Sequence, residues 1–250
     1  IWLSPIFESF GKGATIHAYD TIDHYKINEK FGTNEDVETL LKEAHKRGVR
    51  IIFDYIPNYI SAYHPWFTDS INGGEKKDWF VWNKNPDQNY AQAWGGGKYT
   101  DVWHKVLKNK SYFYGAFHRS MPDLNFENER VKTEMANVLI YWLNKGFDGA
   151  RVDAARYIFE DGPKKQADVP RTLNFFSEMR KNILDKYNPT GYSKIISGEV
   201  WTSGDIIKKY YGERNDRFHM CFDFPLTQLI RNAVYAGEKS TLKVKELNNY

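Results

Sequence analysis

An apolar stripe at helical spacing, Val131, Met135, Val138, Leu139 and Trp142, stops at Gly146 and runs straight into Gly149-Ala150-Arg151-Val152-Asp153. A helix that ends on glycine and passes at once into a strand is one half-turn of an alternating strand–helix chain. The same rhythm recurs along the sequence. Ile1-Trp2-Leu3-Ser4-Pro5-Ile6 reads as the second half of a buried strand. Thr33 then caps a helix whose stripe is Val37, Leu40, Leu41 and Ala44, and Gly48 stops it. Val49–Asp54 is a β-branched buried strand, and a helix over about 170–187 follows the Asp153 strand. Strands at 194–199 and 217–224, with short helices at 205–211 and 226–236, complete the described pattern. Repeated strand–helix units imply a parallel sheet covered by helices, and five strands with a helix between most of them suit a (β/α)8 barrel better than an open sheet.

One segment breaks the rhythm. Residues 58–122 are rich in Gly, Asn, Tyr and Trp, contain Gly95-Gly96-Gly97 and show little periodicity. They divide the chain into barrel (1–57), a loop-rich insert (58–122) and continued barrel (123–250). Trp66, Trp79, Trp82, Trp94 and Trp103, five of the eight tryptophans, fall inside the insert with Tyr63, Tyr90, Tyr99, Tyr112 and Tyr114. Such rings can stack on sugars, but most are expected to form the insert's own core, with one or two touching a ligand. Leu247-Asn248-Asn249-Tyr250 stops without a closing strand, so the sequence reads as a segment of a longer protein.

Bulk properties narrow the function. A net charge of +3, with no long basic run, argues against nucleic acid as partner. No apolar run approaches the ~18 residues of a membrane span. The single cysteine, Cys221, excludes an intrachain disulfide framework. The seven histidines show no His-x-x-x-His spacing for zinc, and neither a dinucleotide nor a phosphate-binding glycine loop is present.

Polar residues instead gather where strands should end: Tyr19-Asp20, Asp54 and Asn58, Arg151 and Asp153, then Glu199. In a barrel of this kind the chemistry is built at the C-terminal strand ends. Period-2 geometry sets Arg151 and Asp153 on one side of their strand, where the cation is expected to keep Asp153 ionised. Glu199 would end the neighbouring strand, ~4.8 Å away. Walled by Val200 and Trp201, it is expected to hold a proton and act as acid and then base. Two such carboxyl groups match the ~5–5.5 Å pair of a retaining glycosidase. A lone carboxylate at a strand end is more often an exposed turn residue, but four agreeing strand ends favour a site.

These motifs together resemble the α-amylase family of glycoside hydrolases, over essentially the whole chain. Asp54-Tyr55-Ile56-Pro57-Asn58, Met121-Pro122-Asp123-Leu124-Asn125, Gly149–Arg156 and Gly198-Glu199-Val200-Trp201 carry the likeness. The resemblance implies retaining hydrolysis of α-1,4-linked glucans or maltooligosaccharides, with Asp153 as nucleophile, Glu199 as acid/base and Arg151 as orienting cation. It implies Tyr19 as a stacking platform, Asp20 as a hydrogen-bond partner nearby, Asp54 as structural support, and Tyr59, Arg156 and Trp201 as further sugar contacts. It places the irregular segment after the third barrel strand. No cofactor is needed for the chemistry. Asn58 and Asp123 occupy positions that supply ligands to a structural calcium in many members, with plain hydrogen bonding as the alternative. The sequence departs from the family at Tyr59 and Tyr157, where histidine is common, and at Ala18, where glycine is. The family's third carboxylate, in a His-Asp pair, has no match before the chain ends. Two rival expectations remain open: a non-catalytic relative serving as a binding or transporter-associated domain, and a transglycosylase or isomerase using the same intermediate.

Overall fold

Parallel strand register sets the architecture of the computed structural model, which describes residues 1–11, 17–87, 89–93, 102–190 and 193–236. In chain order the elements are a hairpin of β1 (Phe7–Ser9) and β2 (Thr21–Ile27), helix α1 (Asn34–Lys46), strand β3 (Ile52–Tyr55) and helix α2 (Pro65–Ile71). Three short strands follow, β4 (Trp82–Asn83), β5 (Trp103–Val106) and β6 (Ser111–Tyr114), and then helix α3 (Glu129–Lys145) and strand β7 (Gly149–Val152). The chain continues through α4 (Pro170–Asn182), β8 (Ile195–Gly198), α5 (Gly204–Tyr211), β9 (Met220–Cys221) and α6 (Phe224–Ala236).

Strands β3, β7, β8 and β9 form one parallel sheet in that order. A helix separates each consecutive pair, as right-handed parallel crossovers require. The expected opening strand adds to its edge only as a bridge from Trp2 to Ile52, closed by Leu3 N–H to Ile52 C=O at 3.0 Å. This is the sheet and helix arrangement of a (β/α)8 barrel, of which the described residues supply a part.

The helices form where their signals stand. Thr33 and Asp36 make a reciprocal capping box on α1, while Val37 and Leu41 turn into the core. Leu40, expected in the same stripe, is exposed instead. Helix α3 starts on Asn128 and ends on Gly146 at φ 119°. Its Trp142 is fully buried, stacks on Phe7 at 5.0 Å and donates its ring N–H to His24 C=O at 2.7 Å, which clamps the hairpin against the barrel.

Several boundaries differ from the sequence expectation. The β1–β2 hairpin was not anticipated, so Tyr19 and Asp20 precede β2 instead of ending the opening strand. Helix α4 stops at Asn182 and tightens into a 3-10 turn over Leu184–Thr190, as helix ends commonly do. The expected strand 217–224 shrinks to β9, because Asp223 caps α6 by accepting from Leu226 N–H at 2.8 Å. Within 58–122, β4, β6 and β5 form an antiparallel sheet, where little regular structure was expected. Strands of two to four residues are too short to show a period. Trp79, Trp103, Phe113 and Tyr114 form the cores there, the plainer of the two roles considered for these rings. Trp94 and Tyr99 lie outside the described residues.

Gly149 makes the close approach of β7 to β8 feasible. A methyl group there would sit 2.0 Å from Ile195 C=O, on a backbone held at φ 155°. Gly149→Ala is therefore expected to destabilise the protein by about 1–3 kcal/mol or more, read as a lower midpoint in denaturant unfolding. An unchanged midpoint would contradict this register.

Candidate active site

Asp54 on β3 and Arg151 on β7 are direct register partners, as are Val152 and Gly198. Backbone pairing runs one residue past the strands: Asp153 N–H donates to Tyr55 C=O at 2.8 Å, and Glu199 N–H to Val152 C=O at 2.9 Å. Both acids are thus held at the same C-terminal rim. Arg151 joins them. Its Nη1 donates to Asp54 Oδ1 at 2.8 Å and to Asp153 Oδ1 at 2.5 Å, and its Nη2 lies 3.0 Å from Glu199 Oε2. Oxygens bound to the terminal nitrogens of one planar guanidinium lie within about 8 Å of each other. The rings of Trp2, Tyr19 and Phe222 frame the guanidinium at 5.2, 5.8 and 5.8 Å.

Two tyrosines complete the group. Tyr19 O–H donates to Asp54 Oδ2 at 3.1 Å, and Tyr59 O–H donates to Asp153 Oδ2 at 2.8 Å. Ala154 follows at φ 49°, a left-handed conformation that costs a non-glycine residue about 1–3 kcal/mol. It turns the Ala154 N–H towards Glu199 Oε2, 3.2 Å away.

The electrostatics correct one sequence expectation. Arg151 does not hold Asp153 in its ordinary acidic range. Burial dominates, and it pushes Asp153 up to about 7 against the opposing pull of Arg151 and Tyr59, with Glu199 and Asp54 adding to the rise. Asp54 rises to about 6 for the same first reason. One cation faces three carboxylates, and the charges of Glu199 and Asp54 add to the rise on Asp153. The wall expected around Glu199 is also partial: Val200 is fully buried, whereas Trp201 is 67% exposed, stacked on Phe224 at 4.7 Å.

A cleft of ≈ 540 Å³ opens beside the cluster, lined by Ala93, Phe117, Ala154, Arg156, Tyr157, Glu199 and Trp201. Arg156 lines it, but its charge is committed elsewhere. Its Nε and Nη2 grip Asp168, and its Nη1 donates to Trp201 C=O at 2.5 Å. Tyr210 O–H donates to Asp168 as well, at 2.7 Å. Asp168, on a loop without periodic signal, was invisible in the sequence. Tyr157, in place of a common histidine, donates to Ala93 C=O at 3.2 Å. Asp20 is buried just before β2, where burial raises its pKa, and its Oδ1 has no partner among the described residues.

Asn58 and Asp123 meet each other. The Asn58 amide donates to Asp123 Oδ2 at 2.9 Å, and Ala116 N–H donates to Oδ1 at 3.1 Å. Full burial holds Asp123 well above the usual carboxylate range. Calcium takes six to eight oxygens, and among the described residues no group of three or more His, Cys, Asp or Glu side chains converges. The two side chains form a buried hydrogen-bonded brace between 58 and 123.

Comparison with known proteins agrees with this geometry. The family description "Alpha amylase, catalytic domain" matches residues 1–250. Alpha-amylase 3 of Dictyoglomus thermophilum is 33% identical over 237 residues, covering 94% of this chain and 41% of that protein. An oligo-1,6-glucosidase of Heyndrickxia coagulans is 33% identical over 242 residues, covering 90% and 42%. The trehalose synthase/amylase TreS of Mycobacterium tuberculosis is 32% identical over 250 residues, covering 94% and 39%. Among solved structures, trehalose-6-phosphate hydrolase (TreA) of Bacillus licheniformis superposes with a TM-score of 0.79 at 29% identity, over 90% of this chain and 41% of that one. The chain belongs to the α-amylase catalytic-domain family of glycoside hydrolases, with the (β/α)8 barrel fold. It spans about two fifths of the length of these relatives.

Replacing Arg151 tests the shared-cation geometry. Arg151→Met strands three carboxylates, two of them buried, and is expected to cost about 3–5 kcal/mol at pH 8. Without the cation the folded-state pKa values of Asp54 and Asp153 rise further above their unfolded values. Protonation then relieves the repulsion, so the cost shrinks towards pH 5. Denaturant unfolding at the two pH values reads this. An equal cost at both would contradict it.

Proposed function

We propose that this chain carries the catalytic centre of a retaining glycoside hydrolase acting on α-1,4-linked glucose chains such as maltooligosaccharides. One observation carries the reading: Asp153 and Glu199 end adjacent parallel strands and bind two nitrogens of the same guanidinium. Their closeness suits a pair of carboxyl groups that flank one glycosidic bond.

In this mechanism a carboxylate oxygen of Asp153 attacks the anomeric carbon as the bond to the leaving sugar breaks. Glu199 gives its proton to the leaving oxygen. The resulting glucosyl ester on Asp153 is then cleaved by water, whose proton returns to Glu199. The chemistry requires the form in which Glu199 carries a proton and Asp153 is ionised. Arg151 keeps both acids in position and balances the charge that returns to Asp153. The ring of Tyr19, held by Asp54, offers a face for the sugar at the cleaved bond. Trp201, exposed and backed by Phe224, offers another at the cleft rim. Transfer of the glucosyl group to a second sugar uses the same intermediate and differs only in excluding water. Relatives named trehalose synthase/amylase make this the second reading.

In the full-length protein, Asp153→Ala and Glu199→Gln are each expected to lower the rate on maltooligosaccharides by about 10³-fold or more. A slowly released fluorinated glucosyl donor should leave a mass adduct on the peptide that contains Asp153. Unchanged rates in both variants would end the assignment, and a wild-type protein that forms no adduct would favour a binding role. The pH profile is a further check. Since Asp153 must be ionised and burial raises its pKa, the acid limb of kcat/KM is expected to lie above the ordinary carboxylate range. An acid limb below pH 4 would contradict the burial account.

A further inference from the structure

Tyr59 stands where the sequence led us to expect a sugar contact, yet its hydroxyl is already engaged. Its backbone bridges to Asp123 in antiparallel fashion, and Ile60 N–H donates to Pro122 C=O at 3.2 Å, so the residue is fixed from the side of the insert. The ring is buried, packs on Phe117 at 5.1 Å, and belongs to a cluster with Ile56, Trp103 and Ala154. The hydroxyl meets Asp153 Oδ2 at 2.8 Å, on the oxygen that Arg151 does not hold.

We propose that Tyr59 is a positioning residue for Asp153, whose O–H fixes Oδ2 as Arg151 fixes Oδ1 and thereby selects the ionised carboxylate in a single orientation. The inference rests on the reading of Asp153 as nucleophile. Two donors on opposite oxygens stop rotation about the last side-chain bond, so the attacking lone pair keeps one direction. A protonated Asp153 offers Tyr59 a weaker bond, because the charge-assisted O–H···O⁻ contact is replaced by one between two neutral groups. The ionised form therefore gains more from Tyr59 than the neutral form does. Tyr59 can serve throughout as donor: burial first, and Asp153 beside it, hold the phenol far above its ordinary pKa. It transfers no proton in the reaction. The charged and titratable groups that face Asp153 are Arg151, Glu199, Asp54, Tyr19 and Tyr59, and of these Arg151 and Tyr59 bond its carboxylate directly.

The test reads the Asp153 carboxyl itself. In full-length protein labelled with 13C-carboxyl aspartate, the Asp153 resonance is identified by its loss in Asp153→Asn and titrated in wild type, Tyr59→Phe and Tyr59→His. Tyr59→Phe keeps the ring and its packing, and is expected to raise the midpoint by about one pH unit or more. Tyr59→His, which can offer a ring N–H from the same side, should recover part of the shift. In kinetics the acid limb of kcat/KM should move with the midpoint, and kcat should fall with little change in KM. Coincident midpoints in wild type and Tyr59→Phe would overturn the inference, as would a uniform loss of rate with an unmoved acid limb. The two readings separate cleanly. An inactive Asp153→Ala with no titration shift defeats only the role of Tyr59, whereas a wild-type rate in Asp153→Ala defeats the nucleophile assignment and with it this role.

Discussion

A single guanidinium shared by three carboxylates is the interaction on which the rest of the site depends. Arg151 reaches Asp54 on its own sheet level, Asp153 just beyond its own strand and Glu199 beyond the next. The planar fork serves Asp54 and Asp153 from one nitrogen and Glu199 from the other, a spread that the single ammonium nitrogen of lysine does not reproduce. Removing such charges from water is costly, and the cluster is not neutral. Burial first, and the neighbouring carboxylates second, raise the pKa values of Asp54 and Asp153, which is how a structural arrangement becomes a chemical one. A group of acids coupled in this way can hold one member charged and another protonated.

The scaffold's task is to bring those side chains to one rim, and it does so through register. Parallel pairing aligns Asp54 with Arg151 and Val152 with Gly198, so the next residues, Asp153 and Glu199, emerge together. Gly149 lets β7 and β8 approach, and Trp142 locks the covering helix and hairpin. Strain is placed at the exit: Ala154 adopts a left-handed conformation and points its amide at Glu199. The Arg156–Asp168–Tyr210 group then ties that exit to the Trp201 segment, so the loops after β7 and β8 are linked by side chains as well as by backbone.

Local signals were legible in the sequence and long-range ones were not. The Thr33 cap, the Gly146 stop and the positions of Arg151, Asp153 and Glu199 follow from neighbours a few residues away. The β1–β2 hairpin escaped notice because β1 has only three residues and its register is irregular, and the small antiparallel sheet because its strands have two to four. Arg156, expected as a sugar contact, lines the cleft but is gripped by Asp168, twelve residues on. The direction of the Asp153 shift was misjudged for a related reason. The adjacent Arg151 is visible in the sequence, but desolvation depends on everything packed around the carboxyl, and here it outweighs the cation.

The stereochemistry of the first product tests the pairing of Asp153 and Glu199 most directly. Proton NMR of the full-length protein cleaving a maltooligosaccharide, recorded before mutarotation proceeds, identifies the anomer released. Attack by Asp153 and then by water inverts the anomeric carbon twice, so the account predicts that the α-anomer appears first. Initial release of the β-anomer would contradict it, because water would then have attacked directly and Asp153 would not be the nucleophile.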